Sequence, residues 1–204
     1  MSADGQVVAF VSFASNLDSG DTNGAWDVFV HDRSTGLTER VSVDSSGAEG
    51  SYDSGYGGTS ISADGQVVAF PSYASNLVSN DTNGETDVFV HDRSTSVTER
   101  ISVDSSGGEA YGSAYGFGSA YPHVSDDGNL VVFGSWAWNL VANDTNGYED
   151  VFVHDRSAGI TERVSFDPSG GEVTSDCYPG PISADGQLVV FATWAALFPD
   201  DTGW

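Results

Sequence analysis

An all-β fold built from repeated four-stranded units is predicted by three features of this 204-residue sequence. The phrase SADGQVVAF begins at Ser2 and recurs at Ser62, then returns as SDDGNLVVF at Ser125 and SADGQLVVF at Ser183, at spacings of 60, 63 and 58 residues. A fixed period of that length marks stacked units that bury their faces against one another rather than one irregular core. Three of the copies continue into D-T-N-G, two variable residues, D-V-F-V-H-D-R and a closing T-E-R. The apolar runs are short, β-branched and aromatic, and none carries a helical period.

The second unit justifies each element in order. Residues 59–62 are a short extended run, and Ala63-Asp64-Gly65 is a turn with glycine where the backbone needs an unusual φ. Residues 66–72 (QVVAFPS) are rich in β-formers and too few for a helix. The polar stretch 74–83 ends in Asn-Gly, a strong turn signal. Residues 87–92 (DVFVHD) form a third strand, and Ser94-Thr95-Ser96 turns the chain into a fourth over 97–103. A connector rich in Gly, Ser and Tyr follows. Four antiparallel strands repeated at this spacing make the blade of a β-propeller. The chain is therefore predicted to be a single repeat array over 1–204 holding about three and a half blades: blade 1 at about 1–50, blade 2 at about 58–106, blade 3 at about 120–168 and part of a fourth at about 180–204.

The wording S-x-D-G, an apolar strand, then D-V-F-V-x-D resembles the TolB-like β-propeller repeat family over nearly the whole chain. The resemblance implies that the S-x-D-G turn joins the innermost strand of each blade to the second. It also implies a binding or scaffolding role, since propellers of this type serve many partners. Met1 stands where the other units have Ile61, Val124 and Ile182, so the chain is expected to start inside a repeat. Propellers close with about 4 to 8 blades. The array is thus expected to be a fragment of a longer protein or to associate with other copies of itself through open blade edges, as a ring or a fibre.

Charge narrows the partners. The formal net charge is −24, there is no lysine, and the six arginines occupy two positions repeated three times: Arg33, Arg93, Arg156 and Arg40, Arg100, Arg163. Everything basic is locked into the repeat, which points to ion pairs within each unit. Asp32/Arg33 are expected to pair across their hairpin with Glu39/Arg40. A surface this negative repels phosphate backbones and anionic membranes, so no nucleic acid is expected as a partner. No run reaches the ~18 apolar residues of a membrane span, so no membrane insertion is expected. The acidic shell suits a salty or divalent-rich medium, hence an extracellular or cell-surface protein, or a periplasmic one, although solvation alone also explains it. No signal peptide is visible in this chain. Cys177 is the only cysteine, which excludes an intrachain disulfide and a thiolate metal cluster.

Two sets of residues could carry function. The loops D-T-N-G-x-x-D place Asp21, Asn23 and Asp27, then Asp81, Asn83 and Asp87, then Asp144, Asn146 and Asp150 around tight Gly turns. Converging hard oxygens on such a loop are calcium chemistry, and the spacing resembles the calcium hairpins of integrin-type propellers. Ser19, Ser79 and Ala142 stand at the first ligand position, which removes a carboxylate from the shell. The alternative is turn chemistry, with Asp side chains capping backbone N–H groups. The second set is the aromatics of the connectors at 51–58, 110–123 and 173–181: Tyr52, Tyr56, Tyr111, Tyr115, Phe117, Tyr121 and Tyr178. All such connectors leave a propeller on one face, where Tyr with Gly and Ser makes an adaptable surface for a protein or a carbohydrate. The alternative there is that the rings merely cover blade edges.

His31, His91 and His154 occupy the same strand of different blades, so each is expected to hydrogen-bond a neighbouring strand rather than join a catalytic set. Asn80-Asp81-Thr82 and Asn143-Asp144-Thr145 match the glycosylation sequon, a pattern short enough to arise by chance. No nucleophile elbow, zinc-protease helix, Walker loop or dinucleotide fingerprint is present. The expected function is a non-enzymatic extracellular structural and binding module, self-assembling and calcium-stabilised. The alternatives are a propeller accessory to a hydrolase (protease or glycosidase) whose catalytic part lies outside this chain, or a carbohydrate-binding propeller.

Overall fold

Strand pairing follows the repeat. The computed structural model describes residues 1–112 and 118–198, which form strands and turns and no helix. The first sheet holds β1 (Val7–Ser12), β2 (Asp27–Asp32) and β3 (Leu37–Arg40). The second holds β4 (Ser60–Ile61), β5 (Val67–Ser72), β6 (Asp87–Asp92) and β7 (Val97–Arg100). The third holds β8 (Ser119–Val124), β9 (Leu130–Ser135), β10 (Asp150–Asp155) and β11 (Ile160–Arg163). In the fourth, β12 (Cys177–Ile182) pairs with β13 (Val189–Thr193). All pairings are antiparallel between chain neighbours. This is the predicted all-β propeller of four-stranded blades, about three and a half of them.

The core lies between blades. Successive side chains of a strand point to opposite faces, and in β5 both faces are apolar. Val68 and Phe70 pack with Val7, Val28 and Val30 of the first blade. Val67 and Ala69 pack with Val131, Phe133 and Phe152 of the third. A third cluster joins Val132 and Val151 to Cys177, Val189 and Phe191 of the fourth. A continuous apolar run of five residues, Val67 to Pro71, thus marks a strand covered on both sides.

The S-x-D-G turn is a closed hydrogen-bond unit. The Ser62 hydroxyl donates to Asp64 Oδ1 at 2.6 Å and accepts from Val67 N at 2.9 Å, while Asp64 Oδ1 accepts from Gln66 N at 2.9 Å. Gly65 has φ +75°, and a Cβ there would lie 2.8 Å from Val7 Cβ, so glycine answers both a left-handed backbone and the approach of the preceding blade. Neighbouring turns bond each other, Ala3 N to Ala63 O at 2.8 Å and Ala63 N to Asp126 O at 3.0 Å.

The expected pairing of Asp32/Arg33 with Glu39/Arg40 does not form. Residues 39 and 40 face opposite sides of β3, so they cannot both meet the same hairpin partner. Asp32 instead caps its own turn through Ser34, and Arg33 donates to Gly5 O at 2.8 Å. Glu39 crosses to Arg93 of the second blade, and Glu99 repeats this with Arg156 of the third at 2.6 Å. Arg40 turns the other way, into the D-T-N-G loop.

Two of the histidines support a bridge between blades made by a threonine. His91 Nδ1 lies 2.8 Å from Thr98 Oγ1, whose hydroxyl proton goes to Val43 O of the first blade. The ring therefore donates to the threonine. His154, Thr161 and Val103 repeat the arrangement, and burial lowers both His91 and His154 below the usual histidine range.

Candidate functional site on the connector face

The loops after β1, β5 and β9 meet the connectors on one face. Trp26 N donates to Asp53 Oδ1 at 2.9 Å and Ser51 N to Asn76 Oδ1 at 2.8 Å. Two different arrangements share that face.

The first is an arginine clasp built from the D-T-N-G-x-x-D loop. In the first blade Arg40 Nη1 lies 2.8 Å from Glu49, 3.6 Å from Asp27 and 3.7 Å from Asp21. Arg40 Nη2 donates to Gly20 O at 3.0 Å. Asn23 donates its amide to Asp27 Oδ2 at 3.0 Å and to Gly50 O at 2.9 Å, and its carbonyl accepts from Ala25 N. Asp27 Oδ1 accepts from Ser42 at 2.6 Å. The same contacts recur around Arg100 with Asp81, Asp87 and Glu109, and around Arg163 with Asp144, Asp150 and Glu172. The nine predicted ligand residues are thus brought together, three to a blade, but around a guanidinium. Asp27 already accepts from Ser42 and Asn23, and Arg40 lies among the loop carboxylates where a cation would sit, so the arrangement favours the guanidinium over an added ion. Among the described residues no grouping of three or more acidic, His or Cys side chains has the geometry of a metal site.

Burial and the adjacent Asp87 push Asp81 up to about 6, and burial with Asp150 does the same to Asp144. Burial works against Glu109 too, but donors from Thr82, Tyr111 and Arg100 overcome it and hold the carboxyl down to about 2. Glu172 is held to about 2 by Thr145 and Arg163. Tyr111, one of the predicted connector aromatics, serves the clasp by donating to Glu109 at 3.0 Å.

The second arrangement is a cavity of about 270 Å³ between the second and third blades. Its walls are Tyr56, Tyr73, Tyr121 and Trp136, with Thr86, Ser119 and Glu149. Two of the predicted aromatics, Tyr56 and Tyr121, are therefore in one site. Tyr52 lies at a shallower hollow with Tyr73, and Tyr178 sits on β12 beside Trp194. Tyr115 and Phe117 fall outside the described residues. Tyr121 holds φ +55° at a register shift of β8 against β9, a conformation L-residues adopt at a cost.

Glu149 is the polar centre of this cavity. It is 6% exposed, and none of the described residues donates a hydrogen bond to its carboxylate. Burial, then the nearby Asp176, push it up to about 7. Space for it comes from Gly134: a Cβ there would lie 2.5 Å from Glu149 Oε1. The equivalent positions in the other units are Val11, Pro71 and Ala192.

Sequence reasoning missed Tyr73, Thr86, Trp136 and Glu149. The signal was present in the repeat itself. Phe13, Tyr73, Trp136 and Trp194 share one aromatic position, and Trp26, Thr86 and Glu149 share a variable one inside D-T-N-G-x-x-D. In the first blade these two positions meet, Phe13 packing tilted against Trp26 at 5.7 Å between centroids.

No protein-family model and no curated protein matches this sequence. Solved structures do. TolB from Acinetobacter baumannii superposes with a TM-score of 0.55 at 21% identity, over 100% of this chain and 40% of that one. A putative TolB from Agrobacterium tumefaciens gives 0.50 at 21% identity, over 97% and 57%. An oligogalacturonate lyase from Vibrio parahaemolyticus gives 0.53 at 16% identity, over 99% and 46%. The fold is that of TolB-like β-propellers. The chain spans about half the length of these neighbours or less.

Proposed function

We propose that this chain is a non-enzymatic structural and binding module, acting in an extracellular, cell-surface or periplasmic setting, that holds a small ligand in the connector-face cavity. The observation that carries this reading is the convergence of the repeat's variable positions on one enclosed aromatic site, while its invariant positions build the clasp and the turns. His31, His91 and His154 support it, each ring being engaged by a threonine of the adjacent strand. Ligand-observed NMR with a panel of monosaccharides and small organic cations tests it. At least one probe class is expected to contact the folded protein and to lose that contact in Trp136→Ala. A panel without contacts overturns the reading.

A second reading, self-association, is favoured by the inter-blade bridges. Glu39–Arg93 and Glu99–Arg156 bridge successive blades, and among the described residues Arg33 and Glu162 hold the equivalent positions without such a pair. Beside Glu162's blade, β13 exposes Val190, flanked by exposed Leu188 and Trp194. Complementary charges beside an apolar blade face are suited to head-to-tail pairing of copies, and equally to a further blade of a longer chain. Sedimentation over a concentration series is expected to show species heavier than 21.3 kDa. Arg33→Glu should weaken them, and adding Glu162→Arg should restore them. A species of constant monomer mass at every concentration rules this out.

In this proposal arginine takes the place expected for calcium. Three guanidiniums, one in each clasp, offset part of the charge of the loop carboxylates.

A further inference from the structure

We propose that the cavity between the second and third blades binds an organic ammonium group, with its charge against the Glu149 carboxylate and its alkyl substituents against the rings of Tyr56, Tyr73, Tyr121 and Trp136. The inference rests on the reading of this cavity as a ligand site and adds the class of ligand.

Four observations carry it. Glu149 is more than nine-tenths buried with no described donor and no described cation beside it, and Asp176 adds a second negative charge. A buried carboxylate in that position lacks the countercharge that other buried carboxylates of this fold receive. The space it occupies is made by Gly134, where the other units carry a side chain. Two positions that are distant in the blade pattern thus change together, which marks a built site. The walls are aromatic faces, whose quadrupoles attract cations and tolerate methyl groups. Finally, a formal charge of −24 raises the local concentration of cations and steers them in.

A neutral sugar fits less well. Sugar hydroxyls call for several donors and acceptors, and here the Ser119 hydroxyl is spent on Ser135 at 2.9 Å. A volume of about 270 Å³ suits a head group or one side chain rather than an oligomer. Binding is linked to protons. The titratable groups facing Glu149 are Asp176, Tyr121, Tyr178 and Cys177, with no cationic side chain beside it among the described residues. The cation competes only with the proton on Glu149, so affinity rises as pH increases through about 7.

Titration calorimetry at pH about 8 tests the class, using choline, n-butylammonium, glucose and the neutral carbon isostere of choline that carries a tert-butyl group. Choline or n-butylammonium is expected to bind at least about tenfold more tightly than the isostere; which of the two is preferred separates a methylated head group from a lysine-like amine. Glu149→Gln should abolish that preference while still binding the isostere, and Gly134→Ala should weaken the ammonium by crowding the carboxylate. Thermal melting of each variant confirms that it is folded. Equal binding of choline and its isostere, or a preference that survives Glu149→Gln, overturns the ammonium class and leaves the cavity as a ligand site. Glucose binding without ammonium preference does the same. Failure of every probe brings down both.

Discussion

Glu149 and Asp150 are chain neighbours at the mouth of the same strand, and both are buried, yet the fold treats them in opposite ways. Asp150 receives Ser165 at 2.5 Å, Asn146 at 2.8 Å and Arg163 at 3.5 Å. Asp27 and Asp87 have the same set of partners in the other two blades. Glu149 receives none of these from the described residues. The clasp is what the repeat repeats, and there each buried carboxylate has a guanidinium of its own blade within 3.7 Å, although Asp81 and Asp144 keep part of their burial penalty. The cavity is what the repeat varies, and there a desolvated carboxylate has no countercharge among the described residues. Stability and the proposed recognition thereby fall at adjacent positions, in alternating residues that point to different sides of one backbone.

The largest effect that separates the two regions is expected at the arginine. Arg100→Met should cost about 3–5 kcal/mol, because it strands Asp87, Asp81 and Glu109 without their cation. Urea unfolding measures it. Adding Glu109→Gln should recover part of the loss, since the two changes share one network. A single-variant loss below about 1 kcal/mol would put the clasp among ordinary surface ion pairs and erase the contrast.

A smaller effect of opposite sign belongs to the cavity. The folded state holds Glu149 at about 7, above the ordinary carboxylate value of 4.5, so the native protein binds that proton more tightly than the unfolded chain. Its ionised form therefore weakens the fold above pH 7, and the penalty fades as pH falls through 7 toward 4.5. Glu149→Gln should raise the melting temperature at pH about 8 and lose that advantage near pH about 4.5. The clasp adds both signs. Asp81 and Asp144, raised to about 6, weaken the fold as pH climbs from 3.8 through 6. Glu109 and Glu172, held at about 2, withdraw stability as pH drops from 4.5 toward 2. The parent protein should be most stable near pH about 4.5 and lose stability in both directions. A melting profile that keeps rising from pH about 5 to 8 would contradict the raised carboxyls.

These two regions were not equally legible in the sequence. Strand composition, the S-x-D-G turn and the period located the blades, because each is a local property repeated several times. The oxygens of the D-T-N-G loop were legible for the same reason. Their cation was not, since Arg40 lies on another strand and only the two-residue alternation of β3 decides that it, and not Glu39, turns toward Asp27. The cavity was hardest to foresee. Glu149 stands at a position a motif writes as x, and its meaning depends on Gly134, which faces it only after β9 and β10 pair. Comparing the units for what differs, rather than for what recurs, would have exposed both residues.

The smallest effect expected is that of calcium, and it is the one that most sharpens the nature of the clasp. A divalent ion among Asp81, Asp87 and Glu109 would have to displace Arg100 from Glu109 at 2.9 Å and from Asn80 O at 3.0 Å. It would also need oxygens that Asp87 spends on Ser102 and Asn83. A ligand adds stability only in proportion to its preference for the native state, and here the native state is already filled by its own cation. The melting temperature should therefore move by less than about 1 °C between excess chelator and millimolar calcium at matched ionic strength. Sodium at equal ionic strength should do as much through screening of the acidic surface. A rise of several degrees specific to calcium, lost together in Asp27→Ala, Asp87→Ala and Asp150→Ala, would return the metal to these loops and make the arginine its companion rather than its substitute.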